Sequence, residues 1–339
     1  MKIIITGGAG FIGTHLTRRL LAQGHTVTVI DNEFNSTRDR VPEGARFVFG
    51  DVTRPQDLEA IFAEGHDAVC HLAGQVSIIR AFDNPVADLR TNVEGTVNVV
   101  QMCLAHRVPR LIYASSMTAY GDTAVVPTPE TQPCMPDSYY GITKFAAERF
   151  VHATAERPDL EFPFCVTSLR MFSVYGPGQA WDNPYQGVLG IFLGKLQRGE
   201  PITIFGDGEQ TRDFVFIGDI IDAWMGVLEN PDATAGRVFN LGSGHPLSIN
   251  DLAQKVLAAN GIAPGSYELR HAPTRPGEQR QVQADIRYAR ETFGWQPKTS
   301  FADGLAATMA WAGRDETRIH AHPGEAATSH KAVTTGDKA

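Results

Sequence analysis

Short β-branched runs alternate with stretches of helical periodicity through the first half of the chain. Lys2 to Thr6 reads as a strand, Phe11 to Gln23 as a helix and Thr26 to Ile30 as a second strand, which together make a βαβ unit. The rhythm continues with a strand at Arg46 to Phe49, a helix at Pro55 to Glu64, a strand at Ala68 to Leu72, a helix from Val86 to His106 and a strand at Arg110 to Ala114. Strands joined by helical crossovers pair in parallel, so the expected fold is α/β, built on a doubly wound parallel sheet.

Beyond Tyr175 the pattern loosens, with Gly and Pro in YGPGQAWDNPYQG and helices near Val188 to Arg198, Gly218 to Glu229 and Ile249 to Ala259. This predicts a cofactor-type domain over 1–175 and a smaller C-terminal α/β substrate lobe over 176–312. No linker rich in Pro, Gly or Ser separates them, so segments are expected to cross between the two. Residues 313–339 hold few apolar side chains and read as a disordered tail, whose His320, His322 and His330 are better taken as solvated than as metal ligands.

Composition narrows the function class. A chain of 339 residues with 42% hydrophobic and 20% charged residues has the makeup of a globular enzyme, and no apolar run approaches the roughly 20 residues of a spanning helix. A net charge of −8 lacks the basic field that binding to nucleic acid requires. Cys70, Cys103, Cys134 and Cys165 lie far apart, without zinc or disulfide spacing, and are expected to be reduced. No export signal is visible at the N-terminus, which points to the cytoplasm.

Gly7, Gly10 and Gly13 leave the first strand and enter the first helix. The first permits the tight turn, the second lets backbone approach a pyrophosphate, and the third packs helix on strand, which makes the sheet Rossmann-type. The second strand ends in Asp31, placed to hold an adenosine ribose and to repel a 2′-phosphate, which favours NAD over NADP.

Tyr140 and Lys144 stand four apart at the start of a helical pattern, on one face. An ammonium beside a phenol lowers its pKa and makes it a proton carrier for a hydroxyl that loses hydride. Ser115, Ser116 and Thr118 follow the strand at 110–114, at the edge where open α/β sheets bind ligands. Ser116 is placed to hydrogen-bond the reacting oxygen; Ser115 and Thr118, taken singly, also read as turn punctuation.

At these residues the chain resembles the extended short-chain dehydrogenase/reductases, within them the NAD-dependent nucleotide-sugar epimerase/dehydratase family. The resemblance runs from Met1 to about Trp311 and includes TGGAGFIG, GDV, HLAG, TNVEGT, LRMFSVYGPGQ, GDGEQTRDFVFIGD, NLGSG and RPGE. It implies a cofactor site of Gly7, Gly10, Phe11, Ile12, Gly13, Asp31, Asn32, Asp51, Val52, Leu72, Ala73, Gly74, Asn92, Ser115, Tyr140 and Lys144. The nucleotide-sugar side would comprise Ser116, Thr118, Ser173, Val188, Arg212, Arg275 and Val282, with the two arginines on the diphosphate; by sequence alone each arginine reads equally well as half of a structural ion pair. No metal is implied, and a homodimer is, through the helices after Val86 and after Tyr140.

At the positions after Ser116 dehydratases of the family look like TDEVYG, with an acid and a base, where this chain carries Met117 and Thr118. The segment SSMTAYGD is similar to that of 4-epimerases, which implies C4 oxidation of a UDP-glucose or UDP-galactose type sugar to a transient 4-keto sugar, with NAD regenerated and retained. Ser173 replaces an amide common at that position, and Val282 falls where galactose-specific epimerases often carry Tyr, so N-acetylhexosamine and glucuronate substrates stay open. A net-oxidising or decarboxylating nucleotide-sugar enzyme and a dinucleotide sensor are the competing classes, the last opposed by an intact Ser116, Tyr140 and Lys144.

Overall fold

Ile3 and Ile5 of the first strand face one layer of helices and Ile4 faces the other, and all three are fully buried. A strand inside a parallel sheet is covered on both sides, which is why this run is continuously apolar instead of alternating. Each such side chain contributes roughly 1.5–3 kcal/mol through burial. The computed structural model describes residues 1–181, 187–274 and 279–312.

The main sheet has seven parallel strands: β1 (Lys2–Thr6), β2 (Thr26–Asp31), β3 (Arg46–Phe49), β4 (Ala68–His71), β5 (Arg110–Ser116), β6 (Cys165–Met171) and β7 (Arg237–Leu241). Their order is β3-β2-β1-β4-β5-β6-β7, so the winding reverses between β1 and β4 and opens a crevice above the C-terminal end of β1. The fold is therefore the Rossmann-type α/β sheet expected. Helix α1 (Phe11–Ala22) and the helix Ile217–Glu229 cover one face through Leu16, Leu20, Ile220 and Trp224. The other face is covered by α2 (Pro55–Phe62) and by later helices carrying Val99, Ala147 and Val151.

Where the pattern predicts one helix from Val86 to His106, the chain forms three pieces. After α3 (Ile78–Asp83), Asn84 and Pro85 start α4 (Pro85–Leu89), a π-helical turn follows at Arg90–Glu94, and α5 (Gly95–Ala105) completes the run. A π turn holds one residue more than an α turn and is invisible to a 3.6-residue period. It carries Asn92, which is buried.

α6 (Tyr139–Ala155) lies against β5 and β6. A separate core of Tyr175, Leu193, Phe214, Leu252 and Val256 packs with a three-stranded sheet of Ser173–Tyr175, Thr211–Phe216 and Pro246–Ser248. Ile202–Phe205 pairs in parallel with Leu269–Ala272. The four cysteines are free. No helix among the described residues is long and apolar enough to cross a membrane. The tail 313–339 and Arg275 lie outside the described residues.

Candidate active site

The crevice is lined by the loops that follow β1, β2 and β4. Gly7 has φ +71°, and a β-carbon there would stand 2.7 Å from the Ala73 nitrogen. A β-carbon on Gly13 would fall on the Gly7 carbonyl oxygen, so the turn and α1 pack at a distance only glycine allows. Gly10 caps α1 without a side-chain bond, and the first turn holds no acid. Its N–H groups, next to the half-buried Phe11 and Ile12, thus face the crevice with the positive end of the helix dipole, which fits a dinucleotide pyrophosphate.

Asp31 closes β2 under this turn. Its carboxylate accepts the Ala9 N–H (3.0 Å), the Glu33 N–H (2.8 Å) and the Ser36 hydroxyl (3.0 Å), and burial raises its pKa. Asn32 donates to Asp51 (2.9 Å), Asp51 caps Thr53, and Val52 is buried beside them. Leu72, Ala73 and Gly74 follow β4, half-buried. The expected cofactor residues of the first 74 positions therefore gather at the C-terminal ends of the neighbouring strands β1 to β4.

A directed chain of hydrogen bonds runs beneath it. The Ala73 N–H reaches Thr6 Oγ1 (3.3 Å), Thr6 meets His71 Nδ1 (2.6 Å), His71 Nε2 meets Thr96 Oγ1 (2.9 Å), and Thr96 donates to the Asn92 carbonyl (2.6 Å). Because the carbonyl can only accept, the imidazole carries its proton on Nε2. Burial, with the Lys144 ammonium second, lowers His71 to about 3, so it is neutral.

Asn92 Oδ1 accepts the Gln75 N–H (2.9 Å), and its amide donates to the Gln75 carbonyl, Asp88 and Thr143 (each 3.1 Å). Asp88, 1% exposed, also accepts Thr143 Oγ1 (2.6 Å) and Gln75 Nε2 (2.7 Å), and burial raises its pKa. One carboxylate thus ties α4, the π turn and the loop after β4 to the residue preceding Lys144.

Ser138 caps α6 by accepting the Gly141 N–H (3.2 Å), so Tyr140 and Lys144 sit in its first two turns. Lys144 is 5% exposed, and among the described residues no group hydrogen-bonds its ammonium, which stands 4.5 Å from the centre of the Tyr113 ring. Burial lowers it to about 8, opposed by Asp88 and Glu148. The expected lowering of the Tyr140 phenol is not found in the protein alone: burial pushes it up to about 12, and what opposes this is a hydrogen bond from Ser116. Desolvation of a would-be phenolate, with the Asp88 carboxylate adding to it, outweighs that hydrogen bond here.

The sequence reading missed the group that holds α6 in place. Glu148, one turn beyond Lys144, pairs with Arg170 of β6 (2.5 and 3.0 Å) and accepts the Ser115 hydroxyl (2.6 Å). Ser115, expected at the cofactor, turns its hydroxyl to this pair, while Ser116 faces Tyr140. The four-residue step from Tyr140 to Lys144 to Glu148 was the available signal; the partner strand was not.

Of the residues expected on the nucleotide-sugar side, Thr118 hydrogen-bonds Ser116 (2.9 Å), and Ser173 and Val188 begin the strand Ser173–Tyr175 and the helix Val188–Gln197. Arg212 donates to the Thr211 and Gln279 carbonyls (2.7 and 2.9 Å). Val282 is buried in a cluster with Tyr120, Phe172 and Ala284.

The model of the NAD dependent epimerase/dehydratase family matches residues 3–242. A UDP-glucose 4-epimerase of Mycolicibacterium smegmatis is 35% identical over 318 residues, 91% of this chain and 97% of its own. UDP-glucuronic acid decarboxylase 2 of Arabidopsis thaliana is 33% identical over 90% of this chain and 66% of its own. The crystal structure of UDP-glucose 4-epimerase from Thermotoga maritima with UDP-glucose superposes with a TM-score of 0.86 at 33% identity, covering 92% of this chain and 99% of that one.

Proposed function

The chain belongs to the NAD dependent epimerase/dehydratase family, and from that premise we propose that it inverts C4 of a nucleotide-activated sugar, of the UDP-glucose/UDP-galactose type, through a transient 4-keto sugar. The observation that carries this reading is the turn Met117–Tyr120: it follows Ser116, packs against α6, and bears no carboxyl group. Eliminating water from the sugar requires an acid and a base beside the reacting carbons, and Met117 and Thr118 offer neither.

NAD, when bound in the crevice above β1, supplies a reversible hydride acceptor. Gly7, Gly10, Gly13 and the α1 N-terminus would hold its pyrophosphate, Asp31 its adenosine ribose, and Lys144 its second ribose. Tyr140 takes the proton from the C4 hydroxyl while Ser116 hydrogen-bonds the same oxygen. Lys144 opposes the desolvation cost of the phenolate. Once the keto sugar presents its other face, Tyr140 returns the proton and C4 emerges inverted.

Ile79, Phe82, Val86, Leu89, Tyr139 and Ile142 on α3, α4 and α6, with Val76 of the preceding loop, are exposed, and the Phe82 and Tyr139 rings stand 5.0 Å apart. Such a patch on a water-facing surface suits a second copy of the chain, in a homodimer.

The test is a panel of UDP- and dTDP-sugars incubated with the purified protein and no added cofactor, with products resolved by chromatography. Interconversion of C4 epimers, lost in Tyr140→Phe by a factor of roughly a hundred or more, supports the reading. A 4-keto-6-deoxy sugar, carbon dioxide release, or NADH formed in step with product would replace it by dehydration, decarboxylation or net oxidation.

A further inference from the structure

We propose that Pro177 and Gly178 form a clasp that buckles together the two segments between which NAD is held, and that His15 and Arg40 are the positioning residues that close it, so that the clasp slows release of the cofactor. This rests on the placement of the pyrophosphate at α1 and of the adenosine ribose at Asp31.

The clasp is preformed by its own sequence. The Gln179 N–H reaches the Gly176 carbonyl (3.3 Å), and between them stand Pro177 and then Gly178, whose φ is +88°. This is the residue pattern of a type II turn, in which the proline ring presets the first central residue and the second needs the positive φ that glycine takes without steric cost. The turn is anchored on both sides, by Tyr175 in the core and by the buried Gln179. It therefore presents the Pro177 and Gly178 carbonyls in one fixed arrangement.

Both carbonyls are taken by side chains more than a hundred positions away in the chain. His15, in the second turn of α1, meets the Pro177 carbonyl through Nε2 (2.8 Å), and because a carbonyl only accepts, the imidazole donates. The Arg40 guanidinium donates to the Gly178 carbonyl (2.6 Å). A β-carbon on Gly178 would stand 3.4 Å from His15 Nε2, 3.5 Å from Arg40 Nη2 and 3.7 Å from Phe11 Cδ2, so the bare α-carbon sits against all three side chains at once.

Each donor belongs to a segment that carries cofactor contacts in the reading above. Phe11, whose ring meets the His15 ring edge-on at 5.8 Å, opens α1 beside the glycine turn. Arg40 ends a loop that is tied back to Asp31 link by link: Asp31 accepts the Glu33 N–H and the Ser36 hydroxyl, and Glu33 accepts the Arg38 N–H (2.8 Å) and guanidinium (2.7 Å). A dinucleotide that spans the two segments leaves by parting them, and parting them breaks both bonds to the clasp.

The experiment loads the purified protein with isotope-labelled NAD, chases with excess unlabelled NAD and follows the label retained on the protein with time. It needs no sugar, so the substrate assignment does not enter. His15→Ala speeds release about fivefold, and Arg40→Ala, which loses a charged donor, about tenfold or more. His15→Gln and Arg40→Lys, which keep a donor, restore slow release, and Gly178→Ala, which strains the turn from the other side, speeds it as well. Release unchanged in His15→Ala and Arg40→Ala, with only the melting temperature lowered, would make these bonds merely structural and overturn the proposal. So would release that is faster in those two variants but unchanged in Gly178→Ala, since the effect would then arise within α1 and the loop. Wild-type protein that takes up no labelled NAD would overturn the cofactor placement itself, and the clasp with it.

Discussion

The Thr118 carbonyl oxygen lies 2.5 Å from where a β-carbon would stand on Gly141. The first turn of α6 therefore touches the turn bearing Ser116 and Thr118 through a bare glycine, and this contact sets how far Tyr140 stands from Ser116. Gly141→Ala forces the two apart by a fraction of an ångström to an ångström. A displacement of that order costs about a hundredfold in rate, while overpacking costs only about 1–3 kcal/mol of stability. Steady-state kinetics beside a denaturant melt check this, and an unchanged kcat would show that the spacing is not critical.

Asp31 holds both the glycine turn, through Ala9, and the loop at 33–36. On the proposed reading, Asp31→Ala removes the acceptor for a ribose hydroxyl and the repulsion of a 2′-phosphate together. NAD affinity should therefore fall more than NADP affinity, as titration calorimetry on the cofactor-stripped protein would measure. Equal losses would mean that the carboxylate serves the loop alone.

Lys144 titrates at about 8 because it is buried. The ammonium is the form that favours a phenolate, so kcat/KM, which reports the free enzyme, falls as pH rises through that value. Stability moves the other way. A lysine whose pKa is lower folded than unfolded costs stability below its folded value, and the cost is relieved as pH climbs toward the unfolded value near ~10.4. Rate lost at ~pH 9 without a lower melting temperature is the expected pattern, and Lys144→Arg, charged throughout, should flatten the decline.

Glu148 and Arg170 form an ion pair whose side chains are 2% and 6% exposed. Removing one partner leaves the other charged and buried, so Glu148→Ala should cost about 3–5 kcal/mol. Chemical denaturation measures it. A cost under about 1 kcal/mol, as for a surface pair, would mean that water reaches Arg170.

The legible parts of this molecule are those where one short stretch carries the whole signal. The βαβ opening, the glycine turn and Asp31 each follow from local spacing, as do Tyr140 and Lys144 on one helical face. What escaped depends on pairs distant in sequence or on rare backbone geometry. Asp88 meets Thr143 across 55 positions, Glu148 meets Arg170 of another strand, and the π turn at Asn92 breaks a helix that periodicity draws as continuous. The rise of the Tyr140 phenol also escaped, because four-residue spacing reports which side chains share a face and says nothing of the desolvation that raises it.

The central claim is that hydride leaves C4 and returns to C4 within one active site. UDP-galactose carrying deuterium at C4, incubated with the purified protein without added cofactor, tests it by mass spectrometry and NMR of the UDP-glucose formed. The account predicts that the label remains at C4 of the product, with none in solvent and no accumulation of NADH. Deuterium washed into solvent, or carried off on released NADH, would contradict it.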